Sequence, residues 1–123
     1  MVKEVEVSGY EAFQKAADEN KDKVVFALFC GDVDDQGKSW CPDCVVAEPV
    51  VMRNLKSAPE DAIFIHCKVG PRDFWKDQSN IFRTDPNLAL KSVPTLLRMG
   101  KPQRLEEAQC AKDDMVQMLL EED

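Results

Sequence analysis

What the chain lacks narrows its class before any motif is read. No apolar run approaches the roughly 18 residues that a membrane-spanning helix needs, and the opening MVKEVEVSGY has no apolar core of a secretory leader. No Asn-x-Ser/Thr sequon occurs, and no internal repeat or low-complexity stretch interrupts the 123 residues. No Lys/Arg cluster stands out, and the net charge is −7, so phosphate backbones and anionic lipid are poor partners. The five cysteines, Cys30, Cys41, Cys44, Cys67 and Cys110, are odd in number and too sparse for a disulfide-stapled scaffold. These absences set an expectation of no nucleic acid, no membrane and a reducing, cytoplasmic address. There a C-x-x-C is more often catalytic or metal-binding than structural. What is present is ordinary for a globular chain: 44% hydrophobic and 32% charged residues. That is enough for a single domain over 1–123 with its own core.

The hydrophobic pattern implies an order of β-α-β-α-β-α-β-β-α. VKEVEV alternates apolar and polar residues as a half-buried strand does. Ser8 and Glu11 have capping-box spacing, followed by Tyr10, Phe13 and Ala17 on one helical face. KVVFALFC (23–30), AIFIHCKV (62–69) and PTLLRM (94–99) read as central strands, the first covered on both faces. From Cys41 the pattern turns helical, with Val45, Pro49, Met52 and Leu55 as one stripe and Pro49 as a kink. RDFWKDQSNIF reads as a short helix that turns Phe74, Ile81 and Phe82 inward, and DPNLALKS as an irregular turn. QRLEE returns antiparallel after Gly100 and Pro102. A final helix runs through Ala111, Met115, Met118 and Leu119 to an acidic end whose last turn frays. Crossovers between the early strands and a late hairpin make an α/β fold, a mixed central sheet with helices on both faces.

The stretch GKSWCPDC, residues 37–44, admits three chemistries. As a phosphate loop it fails: five residues, not four, separate Gly31 from Gly37, and Asp32, Asp34 and Asp35 among them would repel a triphosphate. The same acids brush a calcium-loop pattern, but Gln36 replaces a ligand and no helix precedes them. As half a zinc site it lacks partners. No second C-x-x-C exists, and His66 and Cys67, adjacent on a strand, point to opposite faces. Cys30, Cys67 and Cys110 then read as small buried hydrophobes, and His66 as structural.

The redox reading fits. A C-x-x-C that opens a helix sets its first sulfur at the helix N-terminus, where free N–H groups and the dipole stabilise a thiolate. Cys41 is expected as the exposed nucleophile and Cys44, one turn in, as the resolving thiol. Pro42 suits an early helix position, and Trp40 is placed to shield the sulfurs or to pack on the loop. Asp43, a carboxylate between the sulfurs, disfavours a second negative charge and pushes the Cys41 thiol up, with Lys38 as a partial offset. A strong oxidant needs a greatly stabilised thiolate, so Asp43 argues for a reductase. Loop 31–39 is expected to narrow access and to favour small or special substrates.

Trp40-Cys41-Pro42-Asp43-Cys44, Pro49 beyond it, and Val93-Pro94-Thr95 downstream resemble the thioredoxin family. Together with the long insertion before the motif, YEAFQKA, VGPRDFWKD and VPTLL are similar to its small Clot-type, thioredoxin domain-containing protein 17-like subgroup, over essentially the whole chain. The resemblance implies a thioredoxin fold with about five strands and a cytosolic protein-disulfide reductase. It implies a cis Pro94 that, with Val93, shapes the substrate groove. No cofactor is implied beyond the Cys41–Cys44 disulfide itself. Implied partners are thioredoxin reductase fed by NADPH, cystine and other small disulfides, selected protein disulfides and, for animal members, a dynein light chain. The thioredoxin pattern also carries a buried Asp in the strand before the motif. Here only apolar residues and Cys30 are available, Ala27 being the expected equivalent, so proton handling at Cys44 must differ. Two other classes stand beside this reading: a binding module that uses the fold without catalysis, and a metal-binding protein.

Overall fold

The computed structural model describes residues 2–121. Five strands form one sheet: β1 (Lys3–Ser8), β2 (Val25–Cys30), β3 (Ile63–Lys68), β4 (Thr95–Arg98) and β5 (Arg104–Glu106), in the order β1-β3-β2-β4-β5. β1, β3 and β2 run parallel, while β4 and β5 join antiparallel. β2 is buried along its whole length, as its continuous apolar run requires. β1, at the edge, alternates half-buried Val5 and Val7 with exposed Glu4 and Glu6.

Helices cover both faces. α1 (Tyr10–Glu19), α3 (Arg72–Lys76) and α4 (Ile81–Thr84) lie on one side, and α2 (Pro42–Arg53) and α5 (Asp113–Glu121) on the other. The side-chain alternation of β2 assigns the faces. The Phe29 ring meets Phe13 of α1 at 5.0 Å and Phe82 of α4 at 6.0 Å between centroids. Ala27, two residues earlier, shares that face. Cys30 lies against Glu48 of α2, so Leu28 and Phe26 share the α2 face.

Several local expectations need correction. Ser8 does not cap α1: it stays in β1, and Gly9, at φ 88°, occupies the N-cap with no side-chain hydrogen bond. A left-handed backbone there favours glycine. The RDFWKDQSNIF helix is two short helices, divided by Asn80, whose side chain caps α4 through the Phe82 and Arg83 N–H groups. Trp75 and Phe82 are the buried residues, whereas Phe74 and Ile81 are exposed. The expected α2 stripe is also displaced. Cys44, Ala47, Val50 and Val51 face the core, and Val45, Pro49 and Met52 are exposed. Pro49 lies within a continuous helix and has no N–H to give the Val45 carbonyl. In α5 the buried residues are Val116, Leu119 and Leu120, and Met118 is exposed. The expected fraying of the last acidic residues falls largely outside the described residues.

Polar side chains join α2 to α5. Arg53 holds Asp113 through two hydrogen bonds of 2.9 and 2.7 Å, and Asn54 adds a third at 2.7 Å while accepting one from Gln117. The Arg53 guanidinium, then Asn54, hold the Asp113 carboxyl down at about 2.

Candidate active site

Loop 31–39 carries the chain from β2 to α2, and it is ordered by its own acids. The Asp34 carboxylate accepts the Gln36 and Lys38 N–H groups at 2.9 and 3.0 Å, and the Asp32 carboxylate accepts the Gly70 N–H at 3.0 Å. These acids satisfy backbone donors, which accounts for their abundance without a phosphate or calcium ligand. Trp40 closes the loop. Its indole N–H donates to the Gly70 carbonyl at 3.0 Å, and its ring lies on Gly31, where a Cβ would stand 2.5 Å from it. Trp40 thus packs on the loop, and it also lines the cleft at Cys41.

Ser39 then aims the motif: its hydroxyl donates to the Gly31 carbonyl and accepts the Cys41 N–H at 3.1 Å. Cys41 is the N-cap of α2, with Pro42 in the first turn. The Cys41 sulfur accepts the Cys44 N–H at 3.2 Å, so it sits where the helix N-terminus presents its free donors. Cys41 and Cys44 are joined as a disulfide. Cys44 is fully buried, as expected of an inner sulfur. Cys41, expected to be exposed, is only 5% accessible. Covering it is the segment before β4, whose Val93 carbonyl lies 3.7 Å from the sulfur.

The Val93–Pro94 peptide is cis. Val93 lines the cleft at Cys41 together with Trp40, Pro42 and Asp43. Pro94 is buried behind it, and its carbonyl accepts the Glu107 N–H at 2.8 Å. Lys38 is not brought to this cleft; it is exposed and lines the neighbouring groove between the loop and α2. The cations that do reach the cleft are Arg72 and Lys91, opposed by Asp43 and Glu107, with Trp75 beside them. The Trp75 ring is held by Arg83, whose guanidinium stacks 4.0 Å from its centroid. Sequence reasoning missed Arg72, Trp75, Lys91 and Glu107. VGPRDFWKD offered a signal for Arg72 and Trp75, but Lys91 and Glu107 reach the site only through the fold.

The remaining thiols are of another kind. Cys30, Cys67 and Cys110 are buried and unbridged. Burial pushes Cys67 and Cys110 each up to about 12 and raises Cys30 further, with the Glu48 carboxylate adding to the effect there. The expected stand-in for the buried Asp also changes. Ala27 belongs to the α1 face; the β2 residues turned toward the α2 layer are Phe26, Leu28 and Cys30, and Leu28, next to Ala27, is fully buried.

A family model described as "Thioredoxin domain-containing protein 17-like, thioredoxin domain" matches residues 6–122. The chain belongs to the thioredoxin domain-containing protein 17-like family. Relatives in it include thioredoxin domain-containing protein 17 of Danio rerio, 54% identical over 120 residues that cover 98% of this chain and 96% of the relative. The Homo sapiens protein of that name is 50% identical over the same shares. Thioredoxin-like protein Clot of Arabidopsis thaliana is 36% identical over 86% of this chain and 82% of its own. Among solved structures, oxidised thioredoxin O1 of Arabidopsis thaliana superposes with a TM-score of 0.60 at 22% identity, covering 96% of this chain and 98% of that one. Reduced Schistosoma mansoni thioredoxin gives 0.59 at 18% identity, covering 95% and 98%. At such identities the shared property is the thioredoxin fold. Membership of the thioredoxin domain-containing protein 17-like family places the Cys41–Cys44 pair in a thioredoxin-like oxidoreductase. Among the described residues no helix is long and apolar enough to cross a membrane.

Proposed function

We propose that the protein is a cytosolic dithiol–disulfide reductase acting on small disulfides, cystine among them, and on selected protein disulfides. The observation that carries this reading is the Cys41 sulfur at the N-cap of α2, accepting the Cys44 N–H and bonded to Cys44. In the reduced protein the Cys41 thiolate attacks one sulfur of a substrate disulfide. A Cys41–substrate bond forms, the substrate S–S bond breaks, and the second substrate sulfur leaves as a thiolate that takes up a proton. Cys44 then attacks the Cys41 sulfur, forms the internal disulfide and releases the other substrate thiol. Two electrons pass from the protein to the substrate. Thioredoxin reductase, drawing on NADPH, returns them.

The rim supports small zwitterionic substrates. Arg72 and Lys91 suit carboxylates, and Asp43 and Glu107 suit ammonium groups. The low exposure of Cys41 favours slim disulfides, or protein loops that can enter the cleft, over broad surfaces. Asp43 tunes the site away from strong oxidation, because its charge opposes accumulation of thiolate beside it.

A Cys44→Ser variant tests the reading. Incubated reduced with cystine, it is expected to accumulate a half-cystine adduct on Cys41, detected by mass spectrometry, while Cys41→Ser forms none there. Turnover of cystine that survives Cys41→Ser would overturn the proposal.

A further inference from the structure

A second group of reactive side chains lies on the α2 face, and none of its members lines the Cys41 cleft. Cys30 ends β2, Glu48 sits within α2 and His66 lies in β3. One ligand atom from each, a thiol sulfur, a carboxylate oxygen and an imidazole nitrogen, all fall within 4.8 Å of one another. The alternation that separates His66 from Cys67 puts it on the face of Cys30 instead.

His66 supplies the independent observation. Its side chain is 3% exposed, and its Nδ1 lies 3.0 Å from the Glu6 carboxylate on the neighbouring strand β1. A carboxylate accepts only, so Nδ1 carries a proton in this contact, and in the neutral tautomer Nε2 presents a lone pair. Nε2 is buried and without a hydrogen-bond partner among the described residues. The Glu48 oxygen stands 3.9 Å away, beyond hydrogen-bond reach. A buried imidazole nitrogen left unpaired is costly and calls for an explanation. A carboxylate behind one ring nitrogen, with the other aimed at a thiol and a second carboxylate, is the arrangement that orients a metal-binding histidine.

We propose that Cys30, Glu48 and His66 form a binding site for a zinc-class divalent cation, with three protein ligands and a fourth position open to the groove between loop 31–39 and α2. Mixed S, N and O donors suit a borderline-soft ion of tetrahedral habit. Tetrahedral bonds of about 2.0–2.3 Å set ligand atoms about 3.5 Å apart. The three atoms already lie within 4.8 Å of one another, and Glu48, whose side chain is 42% exposed, has room to rotate inward as the site contracts on a cation. Cys30 loses its thiol proton to solvent as the sulfur–metal bond forms. One thiolate and one carboxylate then neutralise the dication. Neutrality matters here, because Lys38 and Lys68 line the same groove and much of the rest is apolar, from Val33, Val45, Pro49 and Met52. The inference does not rest on the redox reading.

The test uses the protein with Cys41–Cys44 oxidised, which keeps those sulfurs off the metal. Cobalt(II) is titrated as the probe and then displaced with zinc(II). One equivalent is expected, with a near-ultraviolet thiolate-to-cobalt band that zinc removes. Cys30→Ala is expected to abolish the band and to weaken binding at least about a hundredfold, since it deletes the only thiolate ligand. Glu48→Gln, a substitution at a half-exposed position, weakens binding while the fold is kept. Glu6→Gln weakens it by about 10–100-fold with the band retained. Absence of saturable binding below millimolar cobalt would overturn the proposal. So would a band that survives Cys30→Ala, or an affinity unchanged by Glu48→Gln.

Discussion

The two faces of the sheet are built from different materials. On the α1 face, Phe13, Phe29 and Phe82 pack ring to ring, with Tyr10 and Phe74 against Phe82 at 5.8 and 6.4 Å. The α2 face carries both redox sulfurs at the helix start, the Cys30–Glu48–His66 group, and the Arg53–Asn54–Asp113 network. Polar and reactive groups buried on one face need the other to supply cohesion, because each costs stability unless satisfied. The two faces divide the labour. Apolar interlock on one side holds the strands whose ends aim Ser39, Cys41 and Val93 on the other.

The largest effect is expected on the apolar face. Phe29→Ala is expected to cost about 3–5 kcal/mol in urea unfolding. The folded fraction should still form the Cys41–Cys44 disulfide at the wild-type potential, since Phe29 packs on the opposite face of the sheet from α2. A shifted potential would show that the faces are coupled.

A finer test places the same carboxylate on each face in turn. Leu28→Asp and Ala27→Asp both bury a carboxyl in β2 and both lower stability. Only Leu28→Asp is expected to shift the pH–rate profile of disulfide reduction, because only that side chain faces the α2 layer. Equal shifts, or a shift from Ala27→Asp alone, would reverse the facial assignment.

The smallest effect concerns the exposed staple between α2 and α5. Asp113 is held at about 2 by Arg53 and then Asn54, below its ordinary 3.8. A depressed carboxyl stabilises the fold above its unfolded value, and that contribution is lost as pH falls from about 4 towards 2. Asp113→Asn is expected to flatten the stability profile over that window, measured by thermal unfolding at low salt. Added salt should weaken the difference, since the pair is exposed.

Much of this was legible in the chain because it is local. WCPDC encodes a helix N-terminus with two sulfurs one turn apart, and VVFALFC encodes a strand buried on both faces. The parallel and antiparallel senses of the strands likewise follow from crossovers and a hairpin, but the insertion of β3 between β1 and β2 does not. What was hidden is what distant segments bring together. Arg72, Lys91 and Glu107 reach the Cys41 cleft from three separate segments, and no spacing rule joins Cys30, Glu48 and His66. Helix α2 misled for a different reason. Val45, Pro49 and Met52 form a stripe as regular as the buried one, and the small Cys44 and Ala47 that occupy the core signal burial weakly by size. Phe74 and Ile81 misled similarly, because a break at Asn80 ends the phase that Phe74 would set and starts a new helix in which Phe82, not Ile81, turns inward.

The proposed function requires that the fold activate one sulfur of five. The most direct measurement is brief iodoacetamide labelling of the fully reduced native protein at neutral pH, with each cysteine quantified by mass spectrometry. Cys41 is expected to label first and alone, while Cys30, Cys67 and Cys110, raised by burial, stay unmodified until the protein is unfolded. Labelling of Cys41 no faster than that of the three buried thiols would contradict the claim.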